Sequence, residues 1–128
     1  MASSRVHEGG CLCGHIRYRA SAPDFPHLCS CTMCRRWSGA PTVAWVDFPA
    51  ARFEWTGPGG APRLFRSSEK TQRGNCPRCG SAICALDDGA DTIAIVIGSL
   101  DRPNLIRPDV RHSYCSAGPR WWQVEVRD

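Results

Sequence analysis

Hydrophobic positions along the chain come in short alternating bursts, with no long stripe of helical period. Ile16 and Tyr18 flank Arg17 within His15–Arg19, and Val43, Trp45 and Val46 mark Thr42–Phe48. Alternation with period two is what a strand with one buried face requires, so strands are predicted at both places and at Arg52–Trp55, Arg63–Arg66, Ala82–Leu86 and Thr92–Ile97. A last strand is predicted over Trp122–Val126, where Val124 and Val126 alternate with Gln123 and Glu125. Helical signal is confined to a turn or two over Thr32–Ser38, stopped by Gly39 and Pro41, and to a turn near Arg102–Leu105. The segments Gly57-Pro58-Gly59-Gly60 and Asp87-Asp88-Gly89-Ala90-Asp91 read as hairpin loops. The expected fold is mainly β, in one domain spanning 1–128, because 128 residues make one core and not two.

Composition adds a compartment and a chemistry. Hydrophobic residues make up 42% and charged residues 22%, which excludes wholesale disorder. The first residues contain no apolar run, and the most apolar stretch, Ile93–Ile97, is far shorter than the ~20 residues of a membrane span. Neither signal peptide nor transmembrane helix is expected, which makes the cytoplasm the expected location. There are nine cysteines, and in a reducing compartment an odd count without an export signal points to thiolates on metal, not to disulfides.

The formal charge of +4 looks basic enough for an acidic partner. Seven thiolates on two zinc ions would bring it to about +1, so it is not a nucleic-acid footprint. No run of basic residues exists, and of the sixteen only Lys70 is not arginine.

Seven cysteines fall in three clusters: Cys11-Leu12-Cys13-Gly14, Cys29-Ser30-Cys31-Thr32-Met33-Cys34 and Cys76-Pro77-Arg78-Cys79-Gly80. A C-x-x-C turn delivers two thiolates to one ion because the backbone curls around it. Two ions could share seven ligands as a closed site of four and an open site of three, the usual contrast between structural and catalytic zinc. Cys29, Cys31 and Cys34 lie close enough to wrap one face of an ion, leaving Cys11, Cys13, Cys76 and Cys79 to staple distant segments. Adding Cys84 would instead close both sites, and spacing alone leaves that open.

The run Gly9-Gly10-Cys11-Leu12-Cys13-Gly14-His15-Ile16-Arg17-Tyr18, the middle cluster with Arg35-Arg36, Gly39 and Pro41, and Cys76-Pro77-x-Cys79-Gly80-Ser81 together resemble the glutathione-dependent formaldehyde-activating enzyme family, to which centromere protein V also belongs. Gly98-Ser99-Leu100-Asp101-x-Pro103, His112 and Trp121-Trp122 fit the same pattern. The resemblance covers about residues 9–122. It implies a β-tent of coiled antiparallel sheets, a structural zinc on Cys11, Cys13, Cys76 and Cys79, and a catalytic zinc on Cys29, Cys31 and Cys34. Ser30 departs from the family, whose members often carry histidine there, and the chain is short for the founding enzyme.

A tris-thiolate zinc is too electron-rich to make hydroxide readily, but is suited to holding a fourth sulfur that stays nucleophilic toward a carbonyl carbon. Taken with this chemistry, the resemblance implies a zinc-dependent carbon–sulfur lyase that forms or cleaves an adduct of a small thiol, such as glutathione, with an aldehyde such as formaldehyde. The alternative is a non-enzymatic zinc-stabilised binding module, favoured if Cys84 or His112 caps the middle cluster. Arg35 and Arg36 are candidates to meet substrate carboxylates, and Trp37 to line a pocket. His7, His15 and His27 read as structural or exposed and Cys115 as a spectator; no nucleic-acid or membrane partner is expected.

Overall fold

A computed structural model describes residues 5–108 and 111–122. Its strands are β1 (His7–Gly10), β2 (Arg17–Ala20), β3 (Asp24–Cys29), β4 (Val43–Pro49), β5 (Phe53–Trp55), β6 (Arg63–Arg66), β7 (Thr71–Asn75), β8 (Ala82–Asp87), β9 (Thr92–Val96) and β10 (His112–Ser113). One α-helix, α1 (Thr32–Ser38), has the bounds that the sequence predicts. It ends because Gly39 takes a left-handed φ of 75° and returns its N–H to the Arg35 carbonyl.

The strands form two sheets, a three-stranded one ordered β1-β2-β5 and a seven-stranded one ordered β10-β3-β4-β9-β8-β7-β6. The mainly β expectation is met. Pairing is antiparallel except where β10 runs parallel to β3, which two coiled antiparallel sheets do not anticipate. Asp87–Asp91 does turn a hairpin between β8 and β9. Gly57–Gly60 does not: it carries the chain from β5 in the small sheet to β6 in the large one. The turn near Arg102–Leu105 is a 3-10 turn over Pro103–Leu105. The strand predicted over Trp122–Val126 lies, beyond Trp122 itself, outside the described residues.

Alternation along the central strands divides the interior in two. Val46 and Phe48 of β4, with Ile93 and Ile95 of β9, face a core shared with Ile16, Tyr18 and Ala20 of the small-sheet side. Val43 and Trp45, one position out of phase, face the other side of the large sheet, where Trp37 and Cys34 of α1 cover them. Since β4 and β9 are apolar on both faces, their side chains support two packed layers.

The small sheet is pinned to the rest at Gly9. Gly9 bridges to Leu100, and a Cβ there would collide with the Ser99 carbonyl oxygen and the Tyr18 hydroxyl. That hydroxyl is itself committed to Ser99 Oγ at 2.6 Å. Gly9→Ala is expected to cost about 1–3 kcal/mol by overpacking, a drop of several degrees in Tm by circular dichroism. An unchanged Tm would mean that β1 can move away from the turn at Ile97–Ser99.

Candidate metal centres

The first centre is built by two turns. Cys11 and Cys13 lie between β1 and β2, where Cys11 N–H donates to the Ile16 carbonyl at 3.0 Å. Cys76 and Cys79 lie between β7 and β8, in a knuckle where Gly80 N–H donates to the Cys76 carbonyl at 2.9 Å and Gly80 adopts φ 79°. Backbone N–H groups turn inward onto the sulfurs. Ile16 N–H donates to Cys11 Sγ at 3.2 Å, and the N–H groups of Arg78 and Cys79 donate to Cys76 Sγ at 3.4 Å each. Leu12 N–H donates to Ser81 Oγ at 3.1 Å, tying the two turns together.

The second centre grows from one continuous segment. Cys29 closes β3, Cys31 is the N-cap of α1, and Cys34 sits one turn into that helix. Cys34 N–H donates to Cys31 Sγ at 3.2 Å, so a single thiol caps the helix and is aimed at its neighbours. Cys34 is 3% exposed and Cys29 8%, while Cys31 is only half-buried.

The sulfurs of Cys11, Cys13, Cys76 and Cys79 lie within 4.8 Å of one another, as do those of Cys29, Cys31 and Cys34. All nine cysteines are free. The arrangement therefore groups the sulfurs as four and three. Cys84 belongs to neither group: it is wholly buried in the core facing the small sheet, where burial pushes its thiol up to about 12. His112 belongs to neither as well, and its Nε2 is 2.7 Å from Ser30 Oγ.

The donor sets fit zinc. An ion about 2.3 Å from each sulfur in a tetrahedron holds the sulfurs about 3.8 Å apart, and Cys11 Sγ lies 3.6 Å from Cys13 Sγ, which lies 3.8 Å from Cys76 Sγ. Crowded thiols also resist ionising together without a cation. The Ser81 hydroxyl and N–H hold the Cys79 thiol down at about 5. The Cys13 thiol, although it receives an N–H from His15, is raised to about 11 by burial and its neighbours. In the second centre burial pushes Cys29 up to about 12. A dication reverses that penalty.

Around the second centre stand Arg73 and Asn75, which the sequence does not single out, and Trp37, which it does. Arg73 of β7 is 6% exposed and directs Nη1 and Nη2 at Cys34 Sγ, at 3.5 and 3.6 Å. Its guanidinium lies 5.0 Å from the Trp37 ring centroid, and Trp37 stacks on Trp45 with the planes 2° apart. Trp37 Nε1 donates to Asn75 Oδ1 at 2.9 Å, and Asn75 Nδ2 donates to the Gly80 carbonyl at 3.2 Å, so a short chain of bonds joins the two centres.

Of the two arginine candidates, Arg35 is engaged locally. Its Nε donates to the Ser30 carbonyl at 3.2 Å. Arg36 is exposed and lines a cavity of about 280 Å³ with Met33, Trp37, Phe65, Ser67 and Arg73. The His27 ring lies against Phe25 with centroids 4.4 Å apart and planes tilted by 34°, and Cys115 is exposed, both away from the sulfurs' groups. Among the described residues no helix is long and apolar enough to cross a membrane.

A family model described as glutathione-dependent formaldehyde-activating enzyme matches residues 6–117. The chain has no significant match among curated proteins. Among solved structures, a crystal structure of a Rhodobacter sphaeroides protein superposes with a TM-score of 0.60 at 17% identity, covering 73% of this chain and 87% of that one. At that identity the likeness is one of fold.

Proposed function

The chain belongs to the glutathione-dependent formaldehyde-activating enzyme family, and from that premise we propose that it is a zinc-dependent carbon–sulfur lyase acting on adducts of a small thiol, such as glutathione, with an aldehyde such as formaldehyde. In this reading Cys11, Cys13, Cys76 and Cys79 hold a structural zinc, and Cys29, Cys31 and Cys34 hold a catalytic one. The observation that carries it is the inequality of the two centres, four sulfurs against three, with no further His, Cys, Asp or Glu ligand atom grouped with the three among the described residues.

A zinc ion on three thiolates supplies a soft position that holds a thiol sulfur as thiolate while leaving it nucleophilic. The chain's own residues do the rest. Trp37, Met33 and Phe65 wall a cavity that reaches the three-sulfur centre through Arg73, and Arg36 offers a planar fork to a substrate carboxylate there. In the forming direction the thiol sulfur bonds to the carbonyl carbon and the thiol proton ends on the carbonyl oxygen. In the cleaving direction the carbon–sulfur bond breaks, the hydroxyl proton returns to sulfur and the aldehyde leaves. A reducing compartment, the cytoplasm, belongs to the same proposal, because free thiols persist there as ligands.

Native mass spectrometry under reducing conditions, with and without glutathione, tests the reading. Two zinc ions per chain and one glutathione adduct that disappears with the second zinc are expected. Two zinc ions indifferent to glutathione and formaldehyde would point instead to a non-enzymatic binding module.

A further inference from the structure

A buried guanidinium is costly unless an anion faces it, because desolvation of the ion amounts to several kcal/mol in proteins. Arg73 is buried, and none of the ion pairs among the described residues involves it. Besides Cys34 Sγ, its one hydrogen-bond partner there is Ser67 Oγ, 3.3 Å from Nε. Its guanidinium carbon lies 5.0 and 5.8 Å from the ring centroids of Trp37 and Trp45, and it borders the cavity shared with Met33, Arg36 and Phe65. Both terminal nitrogens converge on the one sulfur, so the group that faces the charge is the sulfur of Cys34.

The fold is arranged to deliver this contact. Arg73 pairs with Ala85 across β7 and β8, and Ala85 pairs with Ala94 across β8 and β9. Directly paired residues share a face, and both alanines pack against the cluster containing Cys34 and Trp45. Small side chains there leave the arginine room to lie over the sheet toward α1. Trp37, fixed by Asn75, closes it from above.

We infer that Arg73 is a positioning residue of the three-sulfur centre: its two N–H groups neutralise and orient the Cys34 thiolate so that the centre can accept an anionic fourth sulfur. The inference rests on the proposed metal at Cys29, Cys31 and Cys34. Three thiolates on a dication carry one net negative charge, and a thiolate ligand adds another in a buried place. Arg73 removes one of the two. Its hydrogen bonds also draw electron density from Cys34, which strengthens the pull of the metal on the incoming sulfur.

The test is zinc loading by chelator competition, together with cobalt(II) substitution, in the wild type, Arg73→Gln and Arg73→Lys. Arg73→Gln is expected to weaken the second zinc about 10- to 100-fold and leave the first unchanged. Loss of the hydrogen bonds raises the energy of the sulfur electrons, so the thiolate-to-cobalt absorption of the weaker centre moves to longer wavelength. Arg73→Lys keeps the charge without the fork and is expected to fall between. Should Arg73→Gln fail to fold, Arg73→Lys decides alone. Wild-type affinity with an unmoved band in the folded variants overturns the inference, since a merely structural arginine would not tune the band. A wild-type chain that takes up a single zinc would overturn the reading of the centre itself, before any variant is made.

Discussion

Cys76→Ser is expected to leave the chain without a cooperative thermal transition and without either zinc ion. Cys76 is 2% exposed and receives two backbone N–H groups on its sulfur. It lies across the first centre from Cys13, 63 positions earlier in the chain, and with Cys79 anchors the knuckle between β7 and β8 to the turn between β1 and β2. Structural zinc sites contribute about 10–16 kcal/mol of apparent binding energy, comparable to the whole stability of a domain, about 5–15 kcal/mol. Removing one of four thiolates therefore removes more than the fold can spare.

The loss should extend to the second centre, because Asn75 and Arg73 of β7 support Trp37 and Cys34 from the strand that runs into the knuckle. Circular dichroism and metal counting check this. The same substitution at exposed Cys115 should change neither, and a strong chelator should unfold the wild type in the same way. A Cys76→Ser chain that melts within a degree or two of the wild type would remove the staple from the first centre.

How far the sequence discloses this arrangement depends on where each residue's meaning is stored. The central strands β4 and β9 are legible because they are buried on both faces and so are apolar or alternating along their length. The helix is legible because Gly39 is needed to stop it. The cysteine clusters are legible because their short spacings are those that metal geometry would demand of its ligands. By contrast β1, β3, β7 and β10 escape notice. The sequence of β7, Thr71-Gln72-Arg73-Gly74-Asn75, is polar throughout, yet Arg73 and Gly74 are buried. The burial of Arg73 is set by a sulfur 39 residues away in sequence, and nothing local to an arginine-rich chain distinguishes it. In β3 the pairing shifts register between Asp24 and His27, which breaks the alternation a reader would look for. The loop at Gly57–Gly60 shows the converse limit. Glycine fixes that the chain turns, whereas the sheet in which the next strand pairs is decided by tertiary packing.

Cys31→Ser is the counterpart of Cys76→Ser, and the expected outcome is opposite: a folded chain with one zinc and thiol-dependent aldehyde turnover reduced by more than about a hundredfold. The separation is possible because Cys31 has two jobs. As N-cap of α1 its side chain accepts the Cys34 N–H at 3.2 Å, and serine, a preferred N-cap, performs that job equally well. As a member of the three-sulfur group it is a soft donor, and a serine hydroxyl is not. Cys31→Ala removes both and should cost a further ~1 kcal/mol of stability for the lost cap, with no further loss of activity. The three sulfurs of this centre come from a single six-residue segment already ordered by β3 and α1, so a metal there would close no long loop and the fold would not depend on it. If Cys31→Ser instead unfolds as completely as Cys76→Ser, both centres are structural, and a reaction at the middle cluster loses its physical basis.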